Sequence, residues 1–270
     1  MDDAGETRAP PPKQIVRGSP LGAYFADSEP AQRPSDVGVV MPTVLRPQIV
    51  RALESVYRQD LKGRIQIAIG VDRTDAKMDL VLGAIDKRPP NVSVLLLRLP
   101  YSTSVRHGGV HLALDGGSLR SMLSFMVNAR HVAYLDDDNA YRPDHLSSLM
   151  AAVKGHAWAA SQRMIVDQET GKTLGPDIWD SAGPDKGRFA STGGFVDTNC
   201  LLVDKITLSH ALSRWASGGK ATKSFEADKN FFREIALAPH VLTEKPTVLY
   251  NIRRDNVLFR YTQTRQPPFE

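Results

Sequence analysis

Only one cysteine, Cys200, occurs among the 270 residues, so no disulfide can close within the chain. Its apolar neighbours Leu201-Leu202-Val203 mark it as a small core residue rather than a nucleophile. No hydrophobic run approaches the roughly 20 residues that a membrane helix needs, and no charged stretch leads into an apolar segment at the start. Together these absences predict a cytoplasmic protein with no integral membrane segment. Aromatic residues make up only 7% of the chain, and no Lys/Arg run is interleaved with them, which argues against nucleic acid as a partner. Basic residues still outnumber acidic ones, giving a formal charge of +4. That excess is dispersed and suits an anionic small-molecule substrate.

With 41% hydrophobic residues, the chain can bury a sizeable core. Residues 1–35, rich in Pro, Gly and Ala, read as a flexible arm, and residues 261–270 as a tail containing Pro267-Pro268. Between them, residues 36–260 form one domain. Val37–Met41, Ile65–Val71 and Val92–Leu97 are strand-like runs. Ile49, Val50, Leu53, Val56 and Tyr57 share a helical face, as do Leu119, Met122, Leu123, Met126 and Val127. Thr74-Asp75 and Ser118 are candidate N-caps. This alternation predicts an α/β fold, an open and mostly parallel central sheet with helices on both faces. Its ligands would bind beyond the carboxyl ends of the strands.

The second half is less regular. Pro143–Val153, a helix after Asp204 as far as Trp215, and a helix capped by Ser224 carry helical patterns. Trp158–Val166, Leu201–Val203 and Val248–Ile252 read as strands, and Gly175–Gly194 as a loop rich in Gly, Pro and Asp.

Asp136-Asp137-Asp138 follows the apolar run His131–Leu135. Adjacent carboxylates at a strand end fit a site for Mg²⁺ or Mn²⁺, which bridge one or two carboxylates to substrate phosphates. A solvated acidic turn fits the triplet equally well. Asp72, an acceptor-only group after a strand, suits a nucleobase N–H or a ribose hydroxyl; an Asx-turn is its plainer explanation. Arg120, Arg253 and Arg254 are candidates for diphosphate or acceptor-phosphate contacts. Trp179 and Phe189 are placed either to stack on a sugar or to pack locally. His107 and His111 read as loop residues.

Four segments in order, spanning residues 37 to about 255, carry a resemblance to the family-2 glycosyltransferases, inverting enzymes of the GT-A fold. Val39-Val40-Met41-Pro42-Thr43 with Arg46-Pro47 resembles the opening strand and its turn, and Ile69-Gly70-Val71-Asp72 the second strand. Tyr134-Leu135-Asp136-Asp137-Asp138 resembles the D-x-D segment, and Phe225-Glu226-Ala227-Asp228 the late acidic motif.

The resemblance implies a nucleotide-sugar-binding half at 36–140 and an acceptor half at 141–260. In the first, Pro42, Thr43, Arg46, Asp72, Arg120, Asp136 and Asp137 would line the donor pocket. Asp138, with Asp136, would hold Mn²⁺ or Mg²⁺, and Asp137 would point away or touch the sugar. Asp228, with Glu226 second, would be the general base, and Asp197 and Thr198 would flank the acceptor. The motif departs from the family's adjacent Glu-Asp pair, because Ala227 separates the two acids. Near the C-terminal strand, where some relatives carry a histidine metal ligand, Tyr250-Asn251-Ile252 offers none. Partners implied are a UDP-, GDP- or dTDP-linked sugar and a carbohydrate, lipid-linked or small-molecule hydroxyl acceptor, and a homo-oligomer is compatible with the sequence. Two other readings remain: a sugar-nucleotide-forming nucleotidyltransferase and a non-catalytic nucleotide- or glycan-binding module. The former class usually carries a Gly-rich loop after its first strand, whereas Met41–Leu45 contains no glycine.

Overall fold

The computed structural model describes residues 20–25, 33–72, 78–113, 115–217 and 227–264. Strands and helices alternate through the first half: β1 (Leu21–Tyr24), β2 (Ser35–Thr43), α1 (Ile49–Tyr57), β3 (Ile65–Val71), α2 (Asp79–Ile85), β4 (Val92–Arg98), α3 (Gly117–Met126) and β5 (Ala129–Tyr134). Every residue of β3 is buried, and Asp36 is the single exposed position of β2. Such unbroken apolar runs suit parallel strands covered on both faces. Helix α1 buries Ile49, Ala52, Leu53 and Val56, the stripe that its 3.6-residue period predicts.

The second half supplies β6 (Ala140–Tyr141), α4 (His145–Ala152), β7 (Trp158–Asp167), β8 (Thr173–Pro176), β9 (Gly183–Pro184), β10 (Gly194–Phe195), β11 (Leu201–Asp204), α5 (Ala227–Ile235), β12 (His240–Ile252) and α6 (Val257–Thr264). The main sheet runs β1-β4-β3-β2-β5-β11-β7-β12-β6, with β8 paired to β7. Strands β4, β3, β2 and β5 are mutually parallel, and the long β7–β12 ladder is parallel as well. Antiparallel pairing enters through β11, between β5 and β7, and at the edges. One hydrophobic core joins both halves, from Val39 and Ile67 to Trp158, Trp215 and Phe231.

Several local expectations change. Residues 21–24, placed in a flexible arm, form an edge strand antiparallel to β4, which satisfies that strand's outer backbone groups. Helix α3 is preceded by Gly116 in the left-handed region (φ 79°), not capped by Ser118, which lies inside the helix. A Cβ at Gly116 would come within 2.8 Å of the Pro42 Cβ, so glycine lets this turn close onto the end of β2. Asp204 caps a turn through the Ile206 and Thr207 amides, and the chain continues as a 3₁₀ helix, Ser209–Ala216, rather than a long α-helix. The presumed tail begins inside α6, whose Leu258 and Tyr261 are buried. The Thr74-Asp75 and Ser224 caps lie outside the described residues.

Candidate active site

Thr43 ends β2, Asp72 follows β3 and Asp136 follows β5, and parallel pairing brings these ends side by side. They open onto one cavity of about 430 Å³. Pro42, Arg46, Arg120, Asp137 and Asp138 line it from the same half, and Asp197, Thr198, Asp228 and Tyr250 from the other. A crevice at the carboxyl edge of a parallel sheet is where this architecture binds ligands.

Within the triplet the three carboxylates have different partners. Asp137 is 2% exposed and accepts hydrogen bonds from Thr43 Oγ1 at 2.6 Å and Arg46 Nη1 at 2.8 Å. It therefore anchors the β2 turn instead of standing idle. Asp136 pairs with the buried Arg120 through Oδ1 and accepts from Asn199 Nδ2 at 2.9 Å through Oδ2. Its backbone N–H also donates to Asn199 Oδ1 at 2.7 Å. Both Asp136 oxygens thus have protein donors. Asp138 meets Arg46 Nη1 at 3.0 Å and keeps a side chain 39% exposed to the cavity. Burial, then the neighbouring Asp136 and Asp137 charges, raise its pKa from the ordinary 3.8 to about 6, against the pull of Arg46.

Asp138 shares Arg46 with Asp137 and is the triplet carboxylate left most open to the cavity. Among the described residues no group of three or more His, Cys, Asp or Glu side chains forms a protein-only metal cage. A hard cation at this place would have Asp138 as its open carboxylate oxygen donor, with phosphates and water to complete its shell.

Asp72 is buried, and its Oδ1 accepts from Thr103 N at 2.7 Å, Ser102 Oγ at 3.0 Å and Thr103 Oγ1 at 3.1 Å. It ties the segment after β4 to the cavity mouth. Arg106 and His107, on a short 3₁₀ turn capped by Ser104, line the same end. His107 had read only as a loop residue.

The other wall is organised by Arg163, which is 1% exposed in the middle of β7. Its guanidinium bonds Asp177, Asp180 (2.6 Å) and Asp197 (2.8 Å). Asp197 in turn accepts from Asn199 N at 2.9 Å and Nδ2 at 2.8 Å, and Asn199 holds Asp136. A chain of charge-assisted bonds thus runs from Arg163 to the acidic triplet. Burial still raises the Asp197 pKa despite Arg163, because Asp136 adds like charge. The sequence offered one signal for this hub: an arginine in the middle of a largely buried strand, which needs acids once buried.

Asp228 lies in the first turn of α5, where the helix N-terminus favours an anion, and its side chain accepts from Lys229 N at 2.8 Å. Burial, with Asp115 and Asp197 adding negative charge, nevertheless raises its pKa from 3.8 to about 6. Glu226 lies outside the described residues.

Some candidates lie elsewhere. Arg253 faces Asp255, and Arg254 pairs with Glu169 at 3.0 Å, both exposed and away from the cavity lining. They follow β12 in sequence, but the turn into α6 carries them to the surface. Trp179 stacks on Tyr261 of α6 at 4.9 Å, with the Arg188 guanidinium 4.8 Å from its ring centroid, and lies outside the cavity lining. Phe189 packs edge-on against Phe195, also outside the lining. Cys200 is fully buried, as its neighbours predicted, and burial raises its thiol pKa far out of the reactive range. No helix among the described residues is long and apolar enough to cross a membrane.

No protein-family model and no curated protein sequence matches this chain. Solved structures do. S. aureus TarS, residues 1–349, superposes with a TM-score of 0.56 at 15% identity, covering 80% of this chain and 60% of that one. TarS in complex with UDP-GlcNAc gives 0.56 at 12% identity over 85% and 61%. The mannosyltransferase PcManGT from Pyrobaculum calidifontis, in complex with GDP-Man and Mn²⁺, gives 0.56 at 13% identity over 88% and 64%. This chain spans about three-fifths of the length of each. At such identities the likeness establishes the architecture, a mixed α/β fold of GT-A type built on a largely parallel sheet.

Proposed function

We propose that this chain is an inverting glycosyltransferase that moves a sugar from a nucleotide diphosphate to a hydroxyl acceptor. The carrying observation is the single cavity at the strand ends where Asp138 and Asp228, the two acids with pKa raised to about 6, are gathered with Thr43 and Asp72. Perturbed carboxylates in one cleft are a recurrent mark of catalytic sites. The UDP-GlcNAc and GDP-Man complexes of the structural relatives support a nucleotide-sugar donor.

Asp72 and the β2 turn at Pro42-Thr43 line the end suited to the nucleoside, while Arg120 and Arg46 bring positive charge toward the diphosphate. Asp228 takes the proton of the acceptor hydroxyl as its oxygen attacks the anomeric carbon. The bond to the diphosphate breaks in the same displacement, and the configuration at that carbon inverts. A divalent cation on Asp138, Mn²⁺ or Mg²⁺, would neutralise charge on the departing diphosphate. Asp136, held by Arg120 and Asn199, fixes the turn that presents Asp138. Thr198 and Asp197, next to Asn199, belong to the wall that carries Asp228, where the acceptor would bind.

The test is to incubate the protein with UDP-, GDP- and dTDP-sugars, with and without Mn²⁺, over a panel of hydroxyl acceptors. Metal-dependent release of nucleoside diphosphate is expected. Pyrophosphate chemistry would instead indicate a nucleotidyltransferase, and nucleotide binding without turnover a recognition module.

A further inference from the structure

Tyr250 lies on β12 and lines the cavity beside Asp136, Asp138 and Asp197. Its ring is held in place: the Arg163 guanidinium carbon sits 4.2 Å from the ring centroid, and the side chain packs on Ile165, Ile252 and Leu258. The strand itself is clamped to the acidic turn. Asn251 Nδ2 donates to the Asp138 carbonyl at 2.5 Å, and Asn251 N donates to Asn139 Oδ1 at 3.0 Å.

The hydroxyl is unlike those of the core tyrosines. Tyr141 Oη donates to the Tyr134 carbonyl at 2.5 Å, and Tyr134 Oη meets Ser124 Oγ at 3.2 Å. Among the described residues the Tyr250 hydroxyl has no hydrogen-bond partner, yet it is not among the orphaned atoms sealed from solvent. A fixed ring with an unpaired hydroxyl open to a cavity is a donor waiting for an acceptor.

The cavity's charges say which acceptor. Of the arginines at the triplet, Arg120 is committed to Asp136 and the Asp115 carbonyl, and Arg46 to Asp137 and Asp138. A diphosphate entering beside three carboxylates needs donors that no carboxylate already holds; Arg106 on the lining is one, and the Tyr250 hydroxyl, beside Asp136 and Asp138, is another. We infer that the Tyr250 hydroxyl donates a hydrogen bond to the diphosphate of the bound nucleotide sugar and so sets the preference for diphosphate over monophosphate; this rests on the glycosyltransferase reading above. Burial and the nearby Asp197, Asp136 and Asp138 keep the phenol protonated throughout the physiological range, so it acts as a neutral donor.

The experiment is calorimetric titration of wild type and Tyr250→Phe with UDP, GDP and dTDP, and with UMP, GMP and dTMP, all with Mn²⁺. The ring and its Arg163 contact survive in the variant, and monophosphate binding reports that the pocket is folded. For the base that wild type prefers, the variant should bind diphosphate about 5- to 20-fold more weakly, with monophosphate within about twofold. Equal diphosphate affinity in the two proteins, or equal losses for both ligands, overturns the inference while the donor reading stands. Wild type that binds none of the six nucleotides overturns both.

Discussion

On the wall built from the ends of β2 and β5, two cations divide the triplet: Arg46, with Thr43, serves Asp137 and also meets Asp138, and Arg120, with Asn199, serves Asp136. On the wall built from the second half, one guanidinium serves three carboxylates, Asp177, Asp180 and Asp197. The first arrangement is distributed and partly solvated, since the Arg46 side chain is 51% exposed; the second is central and dry. Yet each wall contributes one acid to the cavity whose pKa is raised to about 6, Asp138 and Asp228. Asp136, Asp137 and the acids around Arg163 are tied into the walls, whereas Asp138 and Asp228 keep the raised proton affinity expected of carboxylates that could act in chemistry.

The largest expected effect breaks the wall that carries Asp228. Asp228→Asn should lower kcat by about 10²- to 10⁴-fold, the usual worth of a general base, while nucleotide affinity measured by calorimetry stays unchanged. Normal turnover in that variant would remove the base assignment. Next comes the scaffold contrast. Arg163→Met strands several buried carboxylates and should cost about 3–5 kcal/mol in urea unfolding, whereas Arg46→Ala removes a half-exposed guanidinium from the single buried Asp137, which keeps Thr43, and should cost about 1–2 kcal/mol. Equal costs would erase the distinction between the walls.

Asp138→Asn tests the first wall's own acid. It should weaken nucleoside diphosphate binding about ten- to hundredfold with Mn²⁺ present and leave the residual binding insensitive to the metal.

A smaller effect is read from pH. As the proposed base Asp228 would work unprotonated, so kcat/KM should rise with pH through an apparent pKa of about 6. Stability should move the other way. The folded state holds this proton more tightly than the unfolded chain, so stability falls as pH rises from about 4 to about 6. At pH 7, Asp228→Asn should therefore exceed wild type in urea stability by about 1–2 kcal/mol, a discounted figure because the cavity admits water. The smallest effect is Arg254→Ala, outside the cavity, whose kcat and KM should stay within about twofold of wild type.

Much of the first half could be read from local pattern. The unbroken apolar runs of β2 and β3, the 3.6-residue stripe of α1 and the acids that follow the strands are all patterns of neighbouring residues. Elsewhere local pattern misled. Arg253 and Arg254 follow a strand yet end on the surface, and Trp179 in a polar loop is covered by Tyr261 from a helix of only eight residues. Leu258 and Tyr261 are too few to announce α6, which therefore read as tail.

By itself, the sequence determined the α/β alternation, the fully buried parallel strands and the placing of carboxylates at their ends, because backbone periodicity and burial act over a few residues. Only the tertiary structure decided which acid is tied and which is available. Arg163 reaches Asp177, Asp180 and Asp197 across 14, 17 and 34 positions, and Asn199 reaches Asp136 across 63. Those pairings depend on β11 lying between β5 and β7 in the sheet, an order that no neighbouring residues encode. An ion pair is set by distance in space, whereas sequence pattern reports only distance along the chain.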